Sequence, residues 1–222
     1  MKKGTNFGGI LSDADLNLIQ QKVDVQPAEP KLNLVNVPGA DGARDFTEQP
    51  AGRVTYKTRK ITWTFALYPG DKWHDKHRQV NNALNGLKCQ ITLHDDPDYY
   101  YEGRLAVSSH NVDKTLRQIV VEAVCQPYKL RHQVTVKTAA LPSTHAFVSI
   151  PLSNERKLVV PEITVTTATV LRYGGAQISV NAGTHTLLDI ALQPGVNTLE
   201  ARTADNVSTA GSIRIQYREG AL

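Results

Sequence analysis

The sequence predicts a mainly β protein, with an N-terminal α+β domain of antiparallel sheets and one helix, followed by a β-sandwich. Apolar and polar residues alternate strictly over residues 60–67, as in a half-buried strand. In residues 73–84 the residues of one face instead recur every three or four positions, which is the spacing of an amphipathic helix. After residue 161, short β-rich segments are separated by turn residues, which favours a sandwich. We expect a first domain over 1–130, a linker with the first strand of the second domain over 131–160, and a small sandwich over 161–222.

The first domain has one clear strand and one clear helix. The strand has its apolar residues on one face: Ile61, Trp63, Phe65 and Leu67. The turn sequence YPGD follows it. The apolar face of the helix comprises Trp73, His77, Val80 and Leu84. Gly86 comes just after this face and is a typical helix stop.

Further strands complete the first domain. The first of them has Leu87, Cys89, Ile91 and Leu93 on its inner face. The turn HDDPD leads into a strand over 100–107, and the last strand has Ile119, Val121, Ala123 and Cys125 facing inward. Strands on both sides of a single helix indicate an α+β domain.

The second domain is predicted to contain six strands, separated by turn residues. These strands are 161–166, 169–173, 177–181, 184–192, 197–202 and 212–217.

Bulk composition excludes several classes of function. The 222 residues carry a net charge of +4 with the two signs interleaved. Sequence-specific DNA binding, which needs clustered basic residues, is therefore not expected. No apolar run is long enough for a transmembrane helix, and a signal peptide is lacking. We therefore expect the protein to fold in a cytoplasm and not to insert into a membrane.

The two cysteines, Cys89 and Cys125, fall on inner strand faces. The sequence leaves a disulfide between them open, but it favours two reduced, buried thiols.

Groups that could carry chemistry are few. His74 and His77 lie three residues apart on the helix and could bind zinc together. The glutamate of a zinc-protease motif is absent, however. We therefore favour one histidine packed against the apolar face and one in solvent. His94, Asp95 and Asp96 could serve a cation or a hydrolase, yet they also suit an exposed Asp/Pro turn. Nucleotide-binding and nucleophile-elbow motifs are absent. We therefore predict no catalytic residue, cofactor or metal ligand.

Four segments, in this order, resemble one family. They are VPGADGARDFTE at 37–48, GRVTYKTRKITWTF at 52–65, LNG at 84–86 and ITLHDDPDYYYEGRL at 91–105. Over roughly residues 5–130 the chain resembles the distal tail proteins of long-tailed, siphovirus-type phages. The matching positions are Pro38, Gly39, Asp41, Gly42, Arg59, Leu84, Gly86, Asp95, Asp96, Pro97, Tyr99, Tyr100, Tyr101, Gly103 and Arg104.

This resemblance implies a tail-tube-like first domain, six copies of which form a ring at the tip of the tail tube. It also implies a galectin-like second domain that projects outward. The hexamer would be a hub between the tube, the tail-tip or baseplate proteins and a receptor-binding or adhesion protein. DNA would pass through its lumen. The protein would belong to the virion and would be assembled in the bacterial cytoplasm.

A ring of identical subunits closes only if each copy presents two different, complementary surfaces. Rigid paired strands with open edges suit this task. We expect the turn at 37–42 and the strand at 57–60 to lie at a subunit or ring-to-tube contact, with a positive φ at Gly39, Gly42 or both. The predicted subunit or ring contacts are Pro38, Gly39, Asp41, Gly42, Lys57, Arg59, Tyr99, Tyr101 and Arg104.

A carbohydrate-binding β-sandwich that adheres to the host surface is the alternative function. Residues 131–222 contain no tryptophan, and Tyr173 and Tyr217 are their only tyrosines. Sugar sites normally need an aromatic platform beside a few polar groups. We therefore expect a scaffold role for the sandwich.

Overall fold

The structure is a computed structural model that describes residues 4–108 and 117–222. Its mostly β composition, with several antiparallel sheets and a single helix in these ranges, confirms the predicted fold class. The chain forms two compact units, Met1–Lys129 together with Leu222, and Leu130–Ala221. Within the described ranges, the helix is too short and too polar to cross a membrane.

The first unit is built around one antiparallel sheet with the strand order β2-β1-β7-β8-β9-β6-β3, while β4 and β5 form a separate ribbon. The elements are β1 (Asn6–Phe7), β2 (Ile10–Leu11), β3 (Leu18–Val25), β4 (Leu34–Asn36), β5 (Ala43–Asp45), β6 (Arg59–Leu67), α1 (Trp73–Leu84), β7 (Lys88–Leu93), β8 (Asp96–Ser108) and β9 (Gln118–Cys125).

The core of this unit lies where the sequence pattern indicates. Ile61, Trp63 and Phe65 on β6 are fully buried, and Val80 and Leu84 on α1 pack against the same cluster. The predicted inner face of β9 is buried as well. The alternation in β6 and the helical period in α1 therefore both mark the side chains that leave water on folding.

Cys89 and Cys125 lie on either side of Gly103. Cys89 pairs with Gly103 across β7 and β8, and Gly103 pairs with Cys125 across β8 and β9. Two strand spacings place the cysteine Cα atoms roughly 10 Å apart, beyond the reach of about 7 Å for a disulfide. Both are free thiols. A Cβ at Gly103 would lie 2.5 Å from Sγ of Cys125, so glycine is required between them.

We expect Cys125 to resist alkylation until the first unit unfolds. Burial raises the pKa of its thiol to about 12, although the positive Arg59 acts in the opposite direction, and the thiolate is the reactive form. Burial raises the pKa of Cys89 too, but this side chain is only half-buried. Iodoacetamide labelling followed by peptide mass spectrometry should modify Cys89 first, and Cys125 only in denaturant. Equal labelling rates in the folded protein would contradict this order.

The second unit is a sandwich of two four-stranded sheets, with strand orders β11-β18-β13-β16 and β12-β17-β14-β15. One hydrophobic cluster contains residues from both sheets. The remaining strands are β10 (Lys129–Arg131), β11 (Thr135–Leu141), β12 (Val148–Asn154), β13 (Glu162–Val165), β14 (Thr169–Tyr173), β15 (Ala176–Val180), β16 (Gly183–Thr186), β17 (Gly195–Thr203), β18 (Gly211–Tyr217) and β19 (Gly220–Ala221); β10 pairs with β19.

The segment 131–160, predicted to contain a linker and the first strand of the second domain, contains two full strands of the sandwich. β11 and β12 each pair along their whole length, with β18 and β17 respectively. In β11 three successive residues, 136–138, are exposed, so its apolar alternation is weak, whereas β12 alternates regularly, with Pro151 at an outer position. The strand predicted over 184–192 instead ends at Thr186, because the following residues turn and bury Ile190 and Leu192.

Candidate subunit-contact surface

The β4–β5 ribbon, which we call the hairpin, contains four of the nine predicted contact residues. Pro38, Gly39, Asp41 and Gly42 all lie in its exposed turn. Gly39 and Gly42 have φ angles of 82° and 72°. The expectation of a left-handed backbone at one of these glycines is confirmed, and this geometry disfavours residues with a Cβ.

The hairpin exposes large apolar side chains. Leu32, Leu34 and Val35 are 61%, 53% and 43% exposed, and Val37 is also exposed. Neighbouring strand residues point to opposite faces, so Leu34 and Val35 leave both faces of β4 apolar. An isolated two-stranded ribbon is marginal in water, and clustered exposed apolar surface marks interaction sites. Our sequence reasoning selected the turn but missed these residues, although the apolar run NLVNV before the turn could have indicated them.

Hydrogen bonds fix the base of the hairpin. The Thr47 N–H donates to Oδ1 of Asp45 over 2.8 Å, and the Asn33 N–H donates to Oγ1 of Thr47 over 3.0 Å. Hydrogen bonds from the Thr47 side chain, and then from its backbone, hold the pKa of Asp45 below its usual value. A cleft of about 550 Å³ beside this base is lined partly by Leu32 and Phe46. The base of the hairpin is therefore closed by its own hydrogen bonds, while its apolar strands remain in water.

Arg59 and Tyr101 lie inside the first unit, each only 6% exposed. Nη1 of Arg59 donates to the Tyr101 hydroxyl over 3.4 Å, and Cζ of Arg59 lies 5.5 Å from the centre of the Tyr101 ring. The pairing of the strands explains the burial of Arg59. Arg59 is the first residue of β6, and it lies directly opposite the buried Cys125 of β9. Neither side chain is available to a flat contact surface, so only a group that enters a pocket could reach Arg59.

The other predicted contacts are more accessible. Lys57 forms an exposed ion pair of 3.2 Å with Glu29. Tyr99 is half-buried. Arg104 is exposed, and its Nη1 donates to the Gly86 carbonyl oxygen over 2.7 Å, just beyond the end of α1. The nine predicted residues thus divide between the hairpin and a second group on β6, β8 and the segment before β6.

The candidate metal and acid groups do not form a common site in the described residues. His77 stacks on the Trp73 ring with 4.7 Å between ring centres, and His74 is exposed. Asp95 lies in the turn between β7 and β8, while Asp96 starts β8 and is ion-paired. Within 4–108 and 117–222, no three His, Cys, Asp or Glu side chains are grouped to hold a metal ion.

The two tyrosines of the second unit take part in its packing. The Tyr173 hydroxyl donates to Oδ1 of Asn197 over 2.8 Å, and the Tyr217 hydroxyl donates to the Ser153 carbonyl oxygen over 2.6 Å. Burial raises the pKa of both hydroxyls. Neither ring therefore offers the open platform that a sugar site needs.

Phe147 is an aromatic residue of the second unit that our sequence reasoning did not consider. The guanidinium carbons of Arg172 and Arg202 lie 4.0 Å and 5.4 Å from the centre of its ring. Arg172 is also ion-paired to Glu200 over 3.2 Å. The aromatic ring of Phe147 therefore makes cation–π contacts with two arginine side chains of the same unit.

Comparison with known proteins gives a structural likeness without a sequence family. No family model matches the sequence, and no curated protein matches it. The chain is similar to the crystal structure of SPP1 Dit (gp 19.1), described as a paradigm of the hub adsorption apparatus in phages that infect Gram-positive bacteria; the TM-score is 0.62 and the identity 14%. A de novo designed double-stranded β-helix aligns with 39% of this chain and 99% of its own at 14% identity, but its TM-score of 0.27 is too low to indicate a shared fold. The likeness to SPP1 Dit covers 97% of this chain and 98% of that chain, so the two have the same fold over nearly their whole length.

Proposed function

We propose that this chain is a non-catalytic structural protein of a phage tail, forming a hexameric ring at the distal end of the tail tube. The ring joins the tube to the tail-tip or baseplate proteins and to the host-adhesion apparatus. The observation that carries this proposal is the likeness to SPP1 Dit over almost the full length of both chains. In this proposal the protein is part of the virion and is assembled in the bacterial cytoplasm, and DNA passes through the ring without sequence-specific binding.

The first unit has features that suit ring closure. Its sheet ends in two different strands, β2 on one side and β3 on the other. A head-to-tail ring needs two different surfaces on each copy. The hairpin adds exposed apolar side chains, which can leave water only by contacting a partner. These features support residues 1–130 as the ring-forming domain, with the tail-tube protein as its axial neighbour.

The second unit suits a scaffold role in the same assembly. Its two tyrosines are hydrogen-bonded within the unit, and arginine side chains pack against its Phe147 ring. These contacts favour protein attachment over sugar binding for the outward domain. Its partners in this proposal are tail-tip, baseplate or receptor-binding proteins.

Light scattering during gel filtration and negative-stain imaging of the full chain test the ring. We expect a mass of about six times the 24.4 kDa of one chain and round particles with a central hole. The same measurements in the presence of the tail-tube protein should give a longer stack. A single-chain mass at every concentration, with and without the tube protein, would contradict the proposal.

A further inference from the structure

A cavity of about 430 Å³ in the first unit opens at the start of β6. Its lining includes the cationic side chains of Arg59 and Lys60 and the acidic side chain of Glu29. Val124, also in the lining, is 58% exposed and gives the cavity an apolar rim. The cavity is thus open to a group from outside.

Within residues 4–108 and 117–222, Arg59 differs from the cations beside it in having no acidic partner. Lys57 is ion-paired to Glu29 over 3.2 Å, and Lys60 is ion-paired to Glu122 over 2.8 Å. Among the described residues, no carboxylate forms an ion pair with Arg59. Its Nε has no hydrogen-bond partner there, and its Nη1 has only the 3.4 Å contact to Tyr101.

This arrangement is costly in the isolated subunit. A guanidinium withdrawn from water loses hydration, and among the described residues no ion pair offsets that loss, because the Glu29 carboxylate in the same lining is paired with Lys57. The thiol of Cys125, which lies opposite in the sheet, is neutral because burial raises its pKa to about 12. The planar fork of an arginine is suited to hold a carboxylate through two parallel hydrogen bonds. A carboxylate in the cavity would therefore complete the site.

The hairpin turn presents a carboxylate with matching properties. Asp41 is exposed, and no cation among the described residues is paired with it. It lies at the tip of a ribbon whose strands expose apolar side chains, which complement the apolar rim at Val124. Charge and apolar surface thus match between the hairpin tip and the cavity.

We propose that the Arg59 cavity is a carboxylate-binding site, filled in the assembled ring by Asp41 on the hairpin of a second copy of this chain. This inference rests on the proposed ring. It gives each subunit contact a definite polarity, because one copy supplies the carboxylate and the next supplies the guanidinium.

Assembly measurements on Arg59→Met, Asp41→Asn and the double variant test the pairing. Each single change should weaken subunit association at least about 30-fold by analytical ultracentrifugation, because it breaks a buried charge pair. The double variant should be little weaker than either single one. Asp95→Asn, which alters an exposed carboxylate in another turn, and Arg78→Met, on an exposed helix face, should associate like the wild type. Additive effects, or an Asp41→Asn ring as tight as the Asp95→Asn ring, would overturn the proposal.

Thermal stability separates an interface arginine from a structural one. In the Asp41→Asn background, at concentrations at which the chains are single, Arg59→Met should raise the melting temperature by about 2–4 °C, because an unpaired buried charge is removed. A lower melting temperature would overturn the proposal by showing that Arg59 holds the subunit together.

Replacing chloride by acetate at equal ionic strength probes the cavity directly. Acetate should raise the melting temperature of Asp41→Asn but not that of Asp41→Asn with Arg59→Met. If the wild type never forms rings, the proposed function fails, and the acetate measurement still decides on the site. No acetate effect would overturn the anion site itself, and an acetate effect without rings would overturn only its supply by a second copy.

Discussion

Replacing Trp63 by alanine should cost the first unit about 3–5 kcal/mol of unfolding free energy, the range for deleting a large buried aromatic side chain. Trp63 is fully buried in the centre of β6 and meets the Phe7 ring edge-to-face, with 5.1 Å between ring centres. Its Nε1–H donates to Oγ1 of Thr5 over 3.0 Å, and Thr5 in turn donates to Gln20 over 2.7 Å. The substitution therefore removes apolar packing and a buried donor together.

Urea unfolding followed by circular dichroism measures this loss. Trp63→Phe keeps most of the packing and should cost clearly less. Trp73→Ala provides a matched control, because Trp73 is only half-buried at the start of α1. If Trp63→Ala and Trp73→Ala were equally destabilising, the centre of β6 would not be the centre of the core.

Introducing aspartate at both Leu34 and Val35 should dissociate the proposed ring while leaving the fold of the subunit unchanged. Both side chains are exposed in the single chain, so the charges remain hydrated there. When the contact between two subunits forms, the two introduced carboxylates would lose their hydration without gaining a positively charged partner. Hot-spot residues near the centre of an interface cost about 2 kcal/mol or more when they are changed, which is roughly 30-fold in affinity at every subunit contact.

Light scattering at matched concentrations should show single chains for this variant and rings for the wild type. Leu188→Asp serves as the control, because Leu188 is 81% exposed in the second unit and lies outside the proposed contact. Circular dichroism should give the same spectrum for all three proteins. If rings persisted in the variant with both aspartates, the hairpin would not be part of the contact surface.

The sequence determines the strongly periodic elements most clearly. Ile61, Trp63 and Phe65 alternate with polar residues, and both the strand and its inner face follow from that pattern alone. β1, β2, β4 and β5 are too short for a period to develop, and in β11 three successive residues, 136–138, are exposed. Local pattern is weak in these strands, and pairing with distant segments holds them in place.

The candidate contact surface was only partly predictable for a related reason. The glycine-rich turn is visible because Gly39 and Gly42 permit a backbone that other residues avoid. The burial of Arg59 depends on its pairing with Cys125, which is distant in the chain, and nothing local in YKTRK indicates it. Exposure of Leu34 and Val35 is likewise a property of the folded chain, since apolar residues in a short strand usually predict a core.

The position of β17 and β18 in the sandwich has a consequence for synthesis on the ribosome. β17 lies between β12 and β14, and β18 lies between β11 and β13, so each sheet is centred on a strand near the end of the chain. Their partners leave the exit tunnel earlier and wait with unpaired edges, those of β17 until residue 203 has emerged and those of β18 until residue 217 has emerged. The first unit can fold in the meantime, because the ladders that join β1, β2, β3, β6, β7, β8 and β9 lie within residues 6–125. Nascent chains arrested before β17 should therefore combine a folded first unit with an open, chaperone-accessible second one.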